Sequence, residues 1–160
     1  MEERKDIRML LIDEHELVLQ GLKHIIENSL PEVKSICTAS SGREALTFIS
    51  SQNFHLYVLD LELPDMSGLD LITVIRDKSF PARIIANTMH EEVWCIKELM
   101  ERGMDGILFK SVYSGEMLDV IRCVLRGESY YCEQARRVQA AMSNSEEQRR
   151  EGLLPVNWMY

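Results

Sequence analysis

The strongest constraint on the fold of this chain is a regular alternation between short apolar runs and longer segments with apolar residues at helical spacing. Such short runs are typical of buried strands, whereas buried helices are longer. The runs predict strands over residues 7–12, 33–38, 54–59, 82–87 and 106–109, and the other segments predict helices over 16–27, 41–49, 67–77, 91–102 and 115–126. This alternation favours a parallel sheet with helices on both faces, an α/β fold.

Helix ends also carry local signals. Ser41 and Glu44 have the spacing of a capping box, in which two side chains satisfy main-chain N–H groups at a helix start. Gly103 and Gly127 follow predicted helices at the position where glycine commonly ends them.

Polar side chains follow four of the five predicted strands, at the point where each strand ends. Asp13 follows the first strand, Asp60 the third, Thr88 the fourth and Lys110 the fifth. In open α/β sheets, ligands bind outside the carboxyl ends of the strands. The sequence therefore predicts one site that contains all four side chains.

These residue types suit a metal-assisted acceptor of a phosphoryl group. A carboxylate can form a covalent acyl phosphate, and the charge on the transferring oxygens calls for a divalent cation and a lysine or arginine. Asp13, Glu14 and Asp60 offer the oxygen ligands that Mg²⁺ prefers. Taken singly, Asp60 or Thr88 could cap a helix and Lys110 could be a solvated cation, but the four together favour the site.

Composition limits the classes of partner and the cellular location that we expect for this protein. The 160 residues carry a net charge of −8, which argues against a surface that follows nucleic-acid phosphates. No apolar run approaches the roughly 18–20 residues that span a bilayer, and the charged first residues lack a secretory signal. We therefore expect a cytoplasmic protein without nucleic-acid or membrane binding. The cysteines and histidines show no metal-ligand spacing, so we interpret histidines such as His15 as surface or rim residues.

The chain changes character after Gly127. Residues 133–142 predict one more helix, residues 144–152 are polar and charged, and the last residues are apolar but short. We expect a domain over residues 6–128, then a segment over 129–160 in which a helix fades into disorder. Trp158 and Tyr160 could contact a partner there.

The set of strand-end residues, with Pro64 and Gly68 after Asp60, resembles the receiver domain of two-component response regulators over about residues 6–128. The resemblance implies a flavodoxin-like (βα)5 fold, a doubly wound parallel sheet with strand order 2-1-3-4-5. It implies that Asp60 is the phosphoacceptor, loaded by a sensor histidine kinase or a small phosphodonor.

The resemblance also assigns roles to the other residues of the site. Mg²⁺ would be held by Asp13, Glu14 and Asp60, helped by the main-chain carbonyl of Glu62. Thr88 would be the switch hydroxyl, Lys110 the lysine of the family's site, and Glu62 and His90 would tune the lifetime of the phosphoryl group.

Three departures from the family's pattern matter. The acidic pair is Asp13-Glu14 where Asp-Asp or Glu-Asp is common, and Ile107 stands where the family usually has a switch aromatic. Ser111 follows Lys110 where proline is often seen, which resembles the subclass with a LuxR-type helix-turn-helix. The residues after 128 show neither that motif nor a basic stripe, so we expect a stand-alone receiver or the receiver of a longer protein.

The leading hypothesis is a signalling switch that catalyses only its own phosphorylation and dephosphorylation. Phosphate would shift an existing equilibrium and change the surface of the fourth helix, fifth strand and fifth helix, to control transcription through a separate or missing output. Trp94, Met100 and Tyr113 would form a contact patch there or pack partly in the core, and a homodimer through that face is a family-level expectation.

Two other readings remain open. A pseudo-receiver would keep the fold as an interaction domain without a phosphate switch, and Ile107 favours it. A phosphatase of the aspartyl-phosphate type would need an acid two residues after the nucleophile, where Glu62 stands, and also a substrate cap for which the domain has little room.

Overall fold

The computed structural model describes residues 6–89, 92–109 and 114–150 of the chain. Strands and helices alternate as the sequence predicts, and each of the ten elements predicted before Gly127 is present with its boundaries within about two residues. In chain order they are β1 Ile7–Ile12, α1 Glu16–Ser29, β2 Val33–Ala39, α2 Gly42–Ser51, β3 Leu56–Leu59, α3 Gly68–Asp77, β4 Arg83–Thr88, α4 Val93–Glu101, β5 Gly106–Phe109, α5 Ser114–Leu125, β6 Tyr130–Tyr131 and α6 Glu133–Arg150.

The strands form one parallel sheet in the order β2-β1-β3-β4-β5-β6. The first five follow the order 2-1-3-4-5, so the predicted α/β, flavodoxin-like fold is confirmed. Ile12 lies opposite Leu59, and Leu59 lies opposite Ala86. Because the strands are in register at this edge, the residues that follow them lie side by side.

Side chains alternate between two apolar layers, one on each face of the sheet. Leu10 and Ile12 point toward the layer formed with α2, α3 and α4, whereas Met9 and Leu11 point toward the layer formed with α1 and α5. Every residue of β3 and β5 is buried. These are the strands of a sheet covered on both faces, as the near-continuous apolar runs predict.

The predicted helix-end signals are present in the structure. The N–H of Glu44 donates to Oγ of Ser41 over 3.1 Å, while the Glu44 carboxylate accepts from the N–H of Ser40 over 2.7 Å. Gly103 and Gly127 have φ of 76° and 93°, the left-handed conformation that glycine adopts with little strain after a helix.

The C-terminal part departs from the sequence prediction in two ways. β6 was not predicted, and it adds a parallel strand beside β5. The helix expected over 133–142 continues to Arg150; it packs against α4, and its Ala135 is fully buried in the core. Where the chain divides into domains stays a prediction, and the expected disorder and contacts of residues 151–160 lie outside the described residues.

α6 is the longest helix described and is strongly polar. Neither it nor any other helix in the described ranges has the length and apolar content needed to cross a bilayer.

Candidate functional site

Three of the four predicted strand-end residues lie in the described part of the chain, and all three are buried. Asp13 is 5% exposed, Asp60 4% and Thr88 0%, and these are the buried polar or charged residues among those described. Burial of polar groups is costly unless partners compensate it, so such residues are expected at a site of interaction. The fourth, Lys110, lies outside the described residues, as does His90.

Main-chain hydrogen bonds fix the two aspartates at the edge of the sheet. The N–H of Asp13 donates to the carbonyl of Ala39 over 3.1 Å, and that of Asp60 donates to the carbonyl of Ile12 over 2.9 Å. Both residues therefore continue the ladder of their strands by one bond. As a result, one carboxylate oxygen of each residue lies within 4.8 Å of the other.

The Asp60 carboxylate is oriented by its own loop, because Oδ1 accepts a hydrogen bond of 3.1 Å from the N–H of Glu62. Thr88 is the last residue of β4 and pairs with Phe109 of β5. Since Leu59 pairs with Ala86, Thr88 lies about one residue beyond the level of Asp60 along the sheet. By strand register, Asp13 after β1 and Thr88 of β4 therefore lie on either side of Asp60.

Gly68 permits the turn that follows Asp60. Its N–H donates to the carbonyl of Leu61 over 2.8 Å, so the loop folds back on the end of β3. A Cβ atom at this position would lie 2.7 Å from the main-chain oxygen of Asp60 and 2.7 Å from Cα of Leu61. Such distances are too short for carbon contacts, so only glycine fits without a shift of the main chain. Ser67 caps α3 directly after this loop.

Asp65 connects the same loop to α2 through two hydrogen bonds. Its carboxylate accepts hydrogen bonds from the N–H groups of Gly42, over 2.7 Å, and Arg43, over 2.9 Å. These two bonds lower the pKa of the Asp65 carboxyl below its usual value. The bonds join residues more than 20 positions apart. No local pattern could have indicated them.

His15 is exposed, as expected of a rim residue, and it also belongs to the aspartate cluster. Its Nδ1 lies 3.0 Å from Oδ1 of Asp13, and its main-chain N–H donates to the same oxygen over 2.8 Å. Asp13, His15 and Asp60 each offer one ligand atom within 4.8 Å of the others. The only signal in the sequence was its place directly after Asp13 and Glu14.

The donor set of this site fits a divalent cation. Two buried carboxylates that lie close together repel each other, and a cation relieves that repulsion. Glu14 and Glu62 line a groove at the surface together with Ser67. Beneath the carboxylates, Oδ1 of Asn87 is buried and accepts no hydrogen bond from the described residues. Oxygen atoms thus predominate, as Mg²⁺ requires.

The surface expected to respond to phosphate is partly covered. Ile107, at the position of the family's switch aromatic, is fully buried between Ala86 and Tyr131 of the neighbouring strands. β6 covers the edge of β5, and α6 packs on α4. Of the expected patch, Trp94 is 60% exposed, Met100 packs against the core, and position 113 lies outside the described residues.

Comparison with known proteins finds one matching family model, the response regulator receiver domain, which matches residues 9–122. The transcriptional regulatory protein MctR of Rhizobium johnstonii is 31% identical over 131 residues, which are 82% of this chain and 61% of MctR. The nitrate/nitrite response regulator protein NarL of Escherichia coli is 28% identical over 141 residues, which are 88% of this chain and 65% of NarL. This chain therefore spans less than two thirds of the length of these curated relatives.

Two solved structures have a similar fold. A two-component response regulator of the LuxR family from Aurantimonas sp. superposes with a TM-score of 0.75 at 26% identity, over 87% of this chain and 99% of that one. The isolated receiver domain of RcsB from Salmonella enterica, in the presence of phosphomimetic BeF3-, gives a TM-score of 0.75 at 18% identity, over 84% of this chain and 99% of that one.

Proposed function

The chain belongs to the response regulator receiver family, and on that premise we propose that it is the phosphoacceptor switch of a two-component phosphorelay, with Asp60 as the acceptor. The observation that carries this proposal is the burial of Asp60 beside Asp13 at the carboxyl edge of the sheet. A structural carboxylate gains nothing from such a neighbour, whereas a phosphoryl acceptor uses the cation that the neighbour helps to hold.

In the proposed reaction, a carboxylate oxygen of Asp60 attacks the phosphorus of a phosphohistidine on a sensor histidine kinase, or of a small phosphodonor. The new O–P bond forms as the bond from phosphorus to the leaving group breaks, and the leaving group keeps the electron pair. Water later attacks the phosphorus and restores the carboxylate. The hydrogen bond from the N–H of Glu62 to Oδ1 keeps the carboxylate oriented for both steps.

Asp13, Glu14 and Asp60, with the carbonyl of Glu62, would hold Mg²⁺. When bound, Mg²⁺ neutralises negative charge on the transferring oxygens. The hydroxyl of Thr88 would donate to a phosphoryl oxygen, and Lys110 would pair first with Asp60 and then with the phosphate. Thr88 is buried at the end of β4, at the same edge of the sheet as Asp60.

Phosphorylation would change protein–protein contacts, and we place the chain in a cytoplasmic pathway of transcription control whose output is a separate protein or segment. The name of MctR as a transcriptional regulatory protein supports this reading. A homodimer is the proposed form of the active state. Because the chain carries a net charge of −8, we do not propose that it binds nucleic acid itself.

The proposal is tested by intact-protein mass after incubation with Mg²⁺ and phosphoramidate. The wild type should gain one phosphoryl group, and Asp60→Asn should gain none. Asp70→Asn is the matched control, because Asp70 is exposed in the first turn of α3, and it should gain the group as the wild type does. If the wild type gains no group from several donors, the pseudo-receiver becomes the better reading, with Ile107 at the aromatic position as its structural support.

A further inference from the structure

We propose that the imidazole of His15 is a nitrogen ligand of the metal site, and that this chain therefore binds a first-row transition cation such as Mn²⁺ in preference to Mg²⁺. The inference rests on the proposed cation site at Asp13 and Asp60, and it adds a ligand of a different chemical kind. The carboxylate cluster would then determine where the ion binds, and His15 would determine which cation is preferred.

The spacing of the three ligand atoms suits a single ion. Octahedral metal–ligand bonds of about 2.0–2.1 Å place adjacent ligands about 3 Å apart and opposite ligands about 4 Å apart. The ligand atoms of Asp13, His15 and Asp60 all lie within 4.8 Å of one another. An ion can therefore reach all three with small side-chain rotations and no movement of the sheet.

The main chain holds His15 at this place. Its N–H donates to Oδ1 of Asp13, so the turn from β1 into α1 brings the ring over the carboxylate. Nδ1 lies 3.0 Å from that oxygen, while Nε2 lies 3.7 Å from Oε2 of Glu14. The ring is thus flanked by two proposed oxygen ligands. Its side chain is 57% exposed, so rotation toward a metal costs little buried contact.

The chemistry of the ligand decides the preference. Mg²⁺ favours oxygen ligands, keeps several waters and is usually bound by one or two carboxylates, so an imidazole adds little to its affinity. First-row transition cations accept imidazole nitrogen as a ligand, and their affinities for such sites rise from Mn²⁺ to Cu²⁺. A site with two carboxylates and one imidazole should therefore discriminate in favour of the transition cation.

The test is pulsed EPR of the full chain loaded with Mn²⁺, together with titrations of Mn²⁺ and Mg²⁺. The wild type should show ¹⁴N coupling from a directly bound imidazole. His15→Gln should lose that coupling and bind Mn²⁺ on the order of tenfold more weakly, with little change for Mg²⁺. His24→Gln is the matched control, because His24 is exposed on α1, the helix that follows His15, and contacts Asn28, and it should keep the coupling.

Bound Mn²⁺ without ¹⁴N coupling in the wild type would overturn the proposal, even if His15→Gln weakened binding, because His15 would then act only by orienting Asp13. That result leaves the phosphoacceptor role of Asp60 intact when the mass experiment succeeds. If the wild type bound neither Mn²⁺ nor Mg²⁺, both this proposal and the metal-assisted reaction would fail. His15 is more than half exposed, so its substitution should preserve folding, and an unchanged urea midpoint would verify this.

Discussion

A methyl group added at Gly68 should push against the main chain that carries Asp60. The new Cβ of Gly68→Ala would lie 2.7 Å from the carbonyl oxygen of Asp60 and 2.7 Å from Cα of Leu61. Both atoms belong to the backbone, so no side-chain rotation can relieve the contact. The loop must shift at the point where the Asp60 carboxylate is oriented by Glu62.

The expected loss of stability follows from two opposing terms. Overpacking at a rigid contact costs about 1–3 kcal/mol. Alanine is better than glycine in a helix interior by up to about 1 kcal/mol, but Gly68 is the first residue of α3, where the gain is smaller. The net free energy of unfolding should therefore fall by about 1–2 kcal/mol.

Gly21→Ala provides the matched control, since in the interior of α1 the same methyl group meets no atom within 4 Å beyond its chain neighbours and the backbone of the helix itself. It should raise the free energy of unfolding by about 0.5–1 kcal/mol. Gly42→Ala should fall between the two, because its closest contact is the flexible side chain of Met66. Equilibrium unfolding in urea measures all three variants on one scale.

Phosphorylation gives an independent readout of the displaced loop. The rate of mass gain from phosphoramidate should fall severalfold in Gly68→Ala and stay at the wild-type level in Gly21→Ala, because only the first change moves Asp60 out of position. Wild-type stability together with a wild-type rate in Gly68→Ala would refute the reasoning, since the loop would then accommodate a Cβ without moving the acceptor.

Two further predictions concern contacts that only the fold creates. The pKa of Asp65 in the folded state is lowered, with the hydrogen bond from Gly42 as the main cause and that from Arg43 next. The ionised Asp65 carboxylate therefore stabilises the fold above the usual pKa of 3.8, and this stabilisation is lost as the pH falls through the lowered pKa. Asp65→Asn should therefore reduce stability at neutral pH and flatten its decline in acid, as urea midpoints across pH would show; an unchanged pH profile would contradict this. Ala135→Asp should lower the free energy of unfolding by on the order of 3 kcal/mol, because the carboxylate enters the fully buried contact of α6 with the core. Ala140→Asp, on the exposed face of α6, should change the stability measured in urea by less than about 0.5 kcal/mol. Equal effects of the two substitutions would show that α6 does not depend on this packing.

The sequence by itself determined the fold class and most of the candidate site. Apolar periodicity is a local property that indicates strand or helix, and a parallel sheet brings the carboxyl ends of its strands to one edge. For this reason Asp13, Asp60 and Thr88 could be predicted to converge, and the structure buries all three at that edge. Gly68 in the sequence indicated a tight turn after Asp60, although it did not indicate which main-chain atoms the turn would contact.

Only the tertiary structure decided the bonds between Asp65 and the start of α2, the place of His15 in the carboxylate cluster, and the docking of the C-terminal elements. These features depend on side-chain directions and on distances between residues far apart in the chain. β6 is two residues long, and the second half of α6 lacks apolar periodicity, so neither carries a strong local signal. Buried contacts such as that of Ala135 stabilise these elements, and the free energy of such contacts exists only once the sheet and α4 have formed.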